Sequence, residues 1–391
     1  MQINTQPVKV GQALEMMKTL WKSGLRRRAV MMHGAPGIGK TSVAEQFAKW
    51  IGDYETEQKG EPVECRFYDV RMTTTDMADL RGLPFYDLET KETVWFRPQD
   101  LPSMGPAVLM IDELSATPEH MQATVYGLLQ ERRVGPHHLP DDVFIIGAGN
   151  RVTDNAVAHE IGSALSDRML HLDIEVDPKS WIQDYAVPKG IHPTVLAFIE
   201  QRNDRLHTLE ADLAQADRPM ISATPRSWEE VSRILYAVED RAMRIAFING
   251  LIGEEIATEF VVTMDEFEGS VRIQDILAED DEDKRIRMYP VSRQAITTLG
   301  FSLAGAVTRD NVDQCLRTLI DLRKLVDTDK RTKEDREQLD RIPLKELATA
   351  AGEIFFIAVE KKFGGEWSKL VLDAEHYWTY SQMRKEDGVM G

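Results

Sequence analysis

The sequence AVMMHGAPGIGKTSVAEQFAKW, residues 29–50, carries the clearest structural signal of this chain. It begins with five mainly apolar residues, Ala29–His33, which have the length and composition of a buried strand. A glycine-rich turn follows, and a helical pattern extends from Ser42 to Trp50. A strand, a glycine-rich turn and a helix in this order are typical of the first unit of a nucleotide-binding α/β domain.

The turn GAPGIGKT, residues 34–41, fits the pattern G-x-x-x-x-G-K-[ST]. Its glycines allow main-chain N–H groups to wrap around a triphosphate, and the dipole of the following helix also favours anions. Lys40 is then expected to reach the β- and γ-phosphates, and the Thr41 hydroxyl to bind Mg²⁺. A glycine-rich turn without a ligand is the alternative, and the flanking strand and helix argue against it. The predicted contacts to ATP and Mg²⁺ are Gly34, Ala35, Pro36, Gly37, Ile38, Gly39, Lys40, Thr41 and Ser42.

A second apolar run, Ala107–Ile111, ends in the two carboxylates of Asp112 and Glu113. Placing carboxylates at the end of a buried strand is costly unless they serve a cation or a proton. We expect Asp112 to hold Mg²⁺, directly or through its water, and Glu113 to polarise the water that attacks the γ-phosphate. The alternative is a polar strand end that only caps the next turn; the phosphate loop favours the catalytic interpretation.

The predicted secondary structure changes near residue 177. Before it, five apolar runs alternate with helical patterns and predict a parallel sheet covered on both faces. These runs are Ala29–His33, Val63–Val70, Ala107–Ile111, Val143–Ala148 and Met169–Ile174. After it, helical spacing dominates, and the acidic block at residues 279–283 predicts a solvated linker. The expected domains are therefore a nucleotide-binding α/β core at 1–176, a helical lid at 177–276 and a C-terminal helical extension at 277–391.

The net charge, the cysteine content and the lack of a long apolar run limit which partners and which cellular compartment the sequence predicts. The net charge of −18 repels a phosphate backbone, so nucleic acid is a disfavoured partner. Two cysteines, Cys65 and Cys315, lack any metal-binding spacing, and so few thiols in 391 residues are typical of a reducing compartment. No export signal and no apolar run of about 18 residues is present, which argues against a membrane. The predicted location is the cytoplasm.

Five motifs follow one another along the chain: GAPGIGKT, AVLMIDE, FIIGAGN, SALSDRM and ATPRSWEE. They match in order Walker A, Walker B, sensor 1, arginine finger and sensor 2 of the AAA+ ATPases. The chain most closely resembles the MoxR branch of the helix-2-insert clade, over residues 1 to about 275. The resemblance implies an AAA+ P-loop NTPase core with a five-stranded parallel sheet, followed by a helical lid and additional C-terminal helices.

The same resemblance assigns three further polar residues. It implies that Asn150 is sensor 1 and orients the attacking water, and that Arg168 is an arginine finger entering the neighbouring subunit's nucleotide site. It also implies that Arg226 is sensor 2 and touches the γ-phosphate of its own subunit. The alternatives are a turn-forming asparagine and two ordinary surface cations.

Two insertions have counterparts in the family. The segment LRGLPFYDLETKETVWFRPQDL, residues 80–101, is predicted to be a hairpin and to form the helix-2 insert. Its aromatic residues are expected either to face a pore or to pack on the core, and the sequence leaves both open. The second hairpin, at residues 132–142, occupies the pre-sensor-1 position. Its adjacent His137 and His138 lack a third ligand, so we interpret them as part of a loop rather than a metal site.

The resemblance implies an ATP-hydrolysing homo-hexamer that remodels or matures a protein client in a chaperone-like manner. It also implies a von Willebrand factor A partner, which must be a separate chain because no DxSxS pattern occurs here. A nucleic-acid motor of the same clade is the alternative, although residues 80–101 contain three basic against four acidic side chains, too few to grip phosphate. A nucleotide-dependent switch with negligible turnover is a third possibility, disfavoured by Glu113.

Overall fold

The computed structural model describes residues 5–151, 166–213, 221–268, 272–325 and 329–386, and these form two compact units. The first unit contains the described residues up to Asp177, the short helix Leu209–Leu213 and the tripeptide Thr224–Arg226. The second contains the other described residues, and it includes parts of both the predicted lid and the predicted C-terminal extension.

The strands of the described chain all belong to the first unit. They are β1 (Pro7–Lys9), β2 (Ala29–His33), β3 (Arg66–Arg71), β4 (Pro84–Tyr86), β5 (Thr93–Trp95), β6 (Ala107–Asp112), β7 (Arg133–Val134), β8 (His137–His138), β9 (Val143–Gly149) and β10 (Met169–Glu175). Six of them form one parallel sheet in the order β1-β10-β2-β9-β6-β3. The other four form the antiparallel hairpins β4-β5 and β7-β8. The α/β fold class predicted from the sequence is confirmed.

The sheet has six strands, so the predicted number of five is wrong. The additional strand, β1, is the outermost strand on one side of the sheet. It pairs with β10, and Val8 lies opposite Ile174. A three-residue strand of sequence Pro-Val-Lys is too short for an alternating or continuous apolar pattern. It is therefore defined by its partner strand and leaves no signal of its own in the sequence.

The helices of the described chain are α1 (Val10–Lys22), α2 (Lys40–Lys59), α3 (Met77–Arg81), α4 (Glu119–Gln130), α5 (Pro178–Ser180), α6 (Val187–Lys189), α7 (Pro193–Gln201), α8 (Leu209–Leu213), α9 (Pro225–Ala237), α10 (Arg241–Ile252), α11 (Glu254–Glu268), α12 (Ile273–Ala278), α13 (Glu282–Met288), α14 (Arg293–Ala306), α15 (Val312–Lys324), α16 (Lys333–Leu339), α17 (Leu344–Phe363), α18 (Trp367–Leu372) and α19 (Tyr377–Glu386). A π-helical turn, Trp181–Ala186, joins α5 to α6. Short 3-10 turns occupy Leu114–Ala116, Asn203–Arg205 and Gly364–Glu366. None of the helices within the described ranges is long and apolar enough to cross a membrane.

Both faces of the parallel sheet are covered, as the strand composition predicted. Alternate residues of β2 point to opposite faces, so Met32 packs with α1 and α2 while Met31 packs with α4. Burial of these side chains supplies most of the favourable free energy of folding in such a core. A buried hydrogen bond of 2.9 Å from Trp21 Nε1 to Glu55 Oε1 fixes α1 against α2. Helices α1 and α2 are thus joined on one face of the sheet.

The second unit is helical, and its C-terminal part packs α14, α15 and α17 around buried aliphatic side chains. The acidic block at residues 279–283 is not a simple linker, because Asp281 accepts hydrogen bonds from the main-chain N–H groups of Asp283 and Lys284 and begins α13. That helix buries Arg285, whose Nε lies 2.6 Å from Asp321 Oδ2. The block therefore serves as a helix N-terminus, the position where carboxylates are favourable.

Candidate functional site

The phosphate loop leaves the carboxyl end of β2, and its glycines are required by its geometry. Gly37 and Gly39 have φ angles of 79° and 99°, a region that strains other residues. A Cβ at Gly34 would lie 2.6 Å from Ile38 Cδ1 and 2.9 Å from the Ile174 carbonyl oxygen. The loop is therefore a closely packed turn at the start of α2, and larger residues at these positions would change its shape.

Lys40 is the first residue of α2, and its side chain returns over the phosphate loop. Its Nζ donates hydrogen bonds of 2.5 Å to the Gly34 carbonyl and 2.9 Å to the Ala35 carbonyl. The same nitrogen lies 3.4 Å from Oδ1 of Asn150, the residue that follows β9. The structure thus brings the predicted phosphate-binding lysine and the predicted sensor asparagine together.

Asp112 ends β6, and Glu113 follows it in a strained conformation. Glu113 has a φ of 56°, in the left-handed region that non-glycine residues seldom occupy outside turns and functional sites. Its main-chain N–H donates to Asp112 Oδ1 at 2.9 Å, and its carboxylate accepts a hydrogen bond from the Thr73 hydroxyl. On the other side, Asp112 Oδ2 lies 3.7 Å from the Arg71 guanidinium. The two carboxylates therefore have different partners at the end of β3.

Thr73 is a functional candidate that sequence reasoning missed. It follows β3, which is the neighbour of β6 in the sheet, with Arg71 directly opposite Asp112. Thr73 and its partner Glu113 are 40 positions apart along the chain. Because only the strand order makes them neighbours, no local signal in the sequence could have identified Thr73.

The parallel strand order explains why these groups converge. Strands β2, β9 and β6 are adjacent, with His33 opposite Gly149 and Ile111 opposite Gly147, so their carboxyl ends form one edge of the sheet. Crevices at the carboxyl ends of parallel strands are the usual ligand sites of open α/β sheets. The phosphate loop, Asn150, Asp112 and Glu113 all lie at this edge.

Arg226 approaches the phosphate loop from the first turn of α9. A Cβ at Gly37 would lie 3.0 Å from Thr224 Oγ1 and 3.6 Å from Arg226 Cβ. Arg226 is also an exposed residue. A cation beside the loop, in an exposed position, is available to a bound anion.

Arg168 is the one predicted site residue that lies at the opposite edge of the sheet. It precedes β10, whose first residue, Met169, lies opposite Ala29, the first residue of β2. The phosphate loop follows the last residue of that strand, so the strand separates the two. The Arg168 guanidinium donates to the Tyr126 hydroxyl at 2.9 Å and lies 5.1 Å from the centroid of its ring.

The donor types at the site fit ATP and Mg²⁺. Main-chain N–H groups at a helix start and the Lys40 ammonium suit a polyphosphate, while the Thr41 hydroxyl and the Asp112 carboxylate are hard oxygen donors suited to Mg²⁺. Within the described residues no three His, Cys, Asp or Glu side chains cluster as a metal site. Mg²⁺ commonly uses one or two protein oxygens together with substrate phosphates and water, so this small donor set is sufficient.

Both predicted hairpins are present in the first unit. In β4-β5, Phe85 and Tyr86 are 53% and 63% exposed, whereas Trp95 is covered by the Arg81 guanidinium 4.2 Å from its ring. His137 and His138, predicted to be loop residues, form the short strand β8, and His137 Nε2 lies 3.1 Å from the Arg81 carbonyl. The second hairpin thus supports the base of the first.

Residues 30–172 match the family model described as "ATPase family associated with various cellular activities (AAA)". The match covers just over a third of the chain and contains the phosphate loop, both carboxylates, Asn150 and Arg168. This segment is an AAA+ P-loop ATPase domain. No curated protein matches the chain.

Three solved structures are similar to this chain at low sequence identity. A provisionally assigned ATPase from Cytophaga hutchinsonii is 18% identical, with 64% of this chain and 80% of that chain covered and a TM-score of 0.32. A lysine-to-arginine variant of RuvB from Thermotoga maritima is 13% identical, with coverages of 71% and 74% and a TM-score of 0.33. NtrX from Brucella abortus in complex with ATP is 14% identical, with coverages of 100% and 70% and a TM-score of 0.33.

Proposed function

We propose that the AAA domain of this chain binds ATP with Mg²⁺ and hydrolyses it within a homo-oligomeric ring. The observation that supports this most strongly is the convergence of Lys40, Asn150 and the Asp112–Glu113 pair at one edge of the sheet. Lys40 neutralises phosphate charge, Glu113 takes a proton from the attacking water, and Asn150 orients that water. Mg²⁺, held by Thr41 and Asp112, supplies further charge neutralisation when it is bound.

The position of Arg168 supports an oligomer. Because Arg168 lies at the amino edge of the sheet, it is poorly placed to reach the phosphates of its own chain. An arginine that stabilises the transition state in a second subunit is expected to lie away from the phosphates of its own subunit. Arg226, beside Gly37, is the arginine that acts on the nucleotide bound by its own chain. We infer a closed ring of identical subunits, a hexamer by resemblance to the MoxR branch.

The hairpin β4-β5 supports a protein client rather than a nucleic acid. Its strands and turn expose apolar side chains, with Leu88 at the turn 82% exposed. Exposed apolar groups clustered on one projection are typical of protein-binding surfaces. The acidic side chains of the same turn, Asp87, Glu89 and Glu92, repel phosphates. We propose a MoxR-type, chaperone-like activity in the cytoplasm on a protein client, with a separate von Willebrand factor A protein as partner.

Turnover and binding measured on the same variants test this proposal. Replacing the general base in Glu113→Gln is expected to lower ATP turnover about 10²- to 10⁴-fold and to leave nucleotide affinity largely intact. Lys40→Ala removes charged hydrogen bonds worth about 1.5–3 kcal/mol, so nucleotide affinity should fall about 10- to 100-fold. The exposed Lys49 lies on the same helix, and Lys49→Ala is the matched control.

Two results would contradict the proposal. If Glu113→Gln turns over ATP at the parent rate, Glu113 is not the general base. If DNA or RNA stimulates turnover while protein candidates do not, the client is a nucleic acid, against the charge of the hairpin.

A further inference from the structure

Two histidines, one buried and one half-buried, form a pair next to the start of the phosphate loop. His33 is the last residue of β2, immediately before Gly34, and is 8% exposed. Its Nε2 lies 2.7 Å from Nδ1 of His171 on the adjacent strand β10, and the two rings stack with centroids 5.1 Å apart. The predicted site does not include either histidine.

The far end of the pair reaches the segment that carries Arg168. His171 Nε2 lies 2.9 Å from the carbonyl oxygen of Ser166 and 3.0 Å from its hydroxyl. Ser166 is two residues before Arg168. A continuous chain of hydrogen bonds therefore runs from the residue before the phosphate loop to the segment of the predicted finger.

The chemistry of the Ser166 carbonyl and the two imidazoles fixes the direction of these hydrogen bonds. A carbonyl oxygen can only accept, so His171 Nε2 carries the proton donated to Ser166. In a neutral His171 the other nitrogen, Nδ1, is then an acceptor, and it takes the proton offered by His33 Nε2. Each imidazole thus has one defined tautomer, and each donates toward Ser166.

The surroundings keep His33 neutral. Burial is the largest cause that lowers the pKa of His33 to about 4, and the positive charges of Arg151 and Lys40 act in the same direction. Arg151 Nε lies 2.7 Å from Asp173 Oδ1, so that carboxylate is already paired with a guanidinium. His33 therefore remains uncharged near neutral pH.

We propose that His171, held by His33, is a positioning residue that links the phosphate loop to the segment bearing Arg168. Through this link a nucleotide bound at the phosphate loop orders the Ser166–Arg168 segment, so that an occupied subunit presents its arginine to the next. The inference rests on the proposed function. It goes beyond that function because it assigns communication between the two sheet edges to a specific pair of residues.

The alternative is that the two rings only fill space in the core. Packing alone would be satisfied by any planar ring of similar size, whereas the link needs a donor facing Ser166 and an acceptor facing His33. The substitutions His171→Phe and His171→Gln separate the two explanations. Phenylalanine keeps an aromatic ring without either hydrogen bond, while the glutamine amide has both a donor and an acceptor.

Hydrogen exchange of the full chain, read by mass spectrometry with and without ATP and Mg²⁺, tests the link. The background is Glu113→Gln, so that ATP remains bound during the measurement. In this background, ATP should slow exchange both at Gly34–Thr41 and at Ser166–Leu170. Adding His171→Phe should keep the first protection and lose the second, and His171→Gln should recover part of the second.

Further variants keep the test decisive if His171→Phe folds poorly. His33→Phe breaks the same chain one bond earlier, so it must give the same pattern. Ser166→Ala removes only the hydroxyl and leaves the carbonyl acceptor, so the protection should persist. Full ATP-dependent protection at Ser166–Leu170 in folded His171→Phe or His33→Phe would overturn the link. If ATP gives no protection at Gly34–Thr41 in the Glu113→Gln background itself, the proposed function is wrong, and the link with it.

Discussion

The Lys40 ammonium lies 3.4 Å from the side-chain oxygen of Asn150, so residues that follow two adjacent strands meet at the proposed phosphate-binding site. Lys40 follows the loop after β2, and Asn150 follows β9, the next strand in the sheet. Because main-chain carbonyls of the loop also hold Lys40, Asn150 does not have to position the lysine alone. We therefore propose that its side chain acts on the reacting groups.

Asn150→Ala should therefore reduce the rate of hydrolysis more than nucleotide binding. A single hydrogen-bonding group that acts on the transition state is typically worth about 10²- to 10³-fold in rate, so a loss of about 10²-fold in kcat is expected. KM should change little. Asn203→Ala, at an exposed position of the second unit, controls for a general effect of losing an asparagine. An unchanged kcat in Asn150→Ala would remove Asn150 from the site.

The hairpin β4-β5 gives a prediction about the client. Phe85 and Tyr86 are more than half exposed, so Phe85→Ala combined with Tyr86→Ala should barely change the melting temperature or basal ATP turnover. Stimulation by a protein client or a von Willebrand factor A partner should be lost, because the apolar contact surface has been removed. Leu25→Ala truncates another exposed apolar residue, 59% exposed, and should leave that stimulation intact.

A core role for the hairpin predicts the opposite outcome. Truncating a buried phenylalanine typically costs about 3–5 kcal/mol of stability. A double variant that melts much earlier and assembles poorly would therefore exclude the client-contact interpretation.

The lowered pKa of His192 predicts how the stability of the protein depends on pH. Its Nδ1 accepts a hydrogen bond of 3.2 Å from the Thr194 N–H and so begins α7. Burial, with a smaller contribution from the charge of Arg244, lowers the pKa of His192 to about 4. The unfolded chain takes up the proton near pH 6.5 and the folded chain only near pH 4, so stability should fall as the pH drops between these values. His33, with a pKa of about 4, acts in the same direction.

His192→Asn should make that loss of stability shallower. Asparagine retains a side-chain acceptor at the start of the helix and does not titrate. Melting temperatures measured between neutral pH and about pH 4 provide the comparison, with His138→Asn in the exposed part of a hairpin as the control. An identical pH dependence in His192→Asn and the parent would show that His192 does not carry this linkage.

Residues encoded by a local pattern could be predicted from the sequence, and those defined by strand neighbours could not. The phosphate loop and the Asp112–Glu113 strand end are local, so their places at the site followed from spacing and composition. Strand β1, Thr73 and the His33–His171 pair depend on which strands lie side by side. The separation of Arg168 from the phosphate loop likewise emerges only from the register of β10 with β2.

The proposed mechanism of ATP hydrolysis depends most on an arginine supplied by a neighbouring subunit. Arginines that act in this way are typically worth about 10³- to 10⁵-fold in rate, so Arg168→Ala should lose most ATP turnover and keep its ATP affinity. Tyr126→Phe removes the hydroxyl that Arg168 contacts and leaves the guanidinium, so it should retain most activity. These two variants separate the role of the arginine from that of its packing.

ATP turnover in rings that mix Arg168→Ala and Glu113→Gln subunits is the strongest test of whether Arg168 acts on the nucleotide of a neighbouring subunit. Rings of either variant alone should be nearly inactive, but a Glu113→Gln subunit can supply its intact arginine to the intact carboxylate of an Arg168→Ala neighbour. The account predicts that mixing restores a measurable part of the parent turnover. No recovery in rings that demonstrably contain both subunits would contradict it.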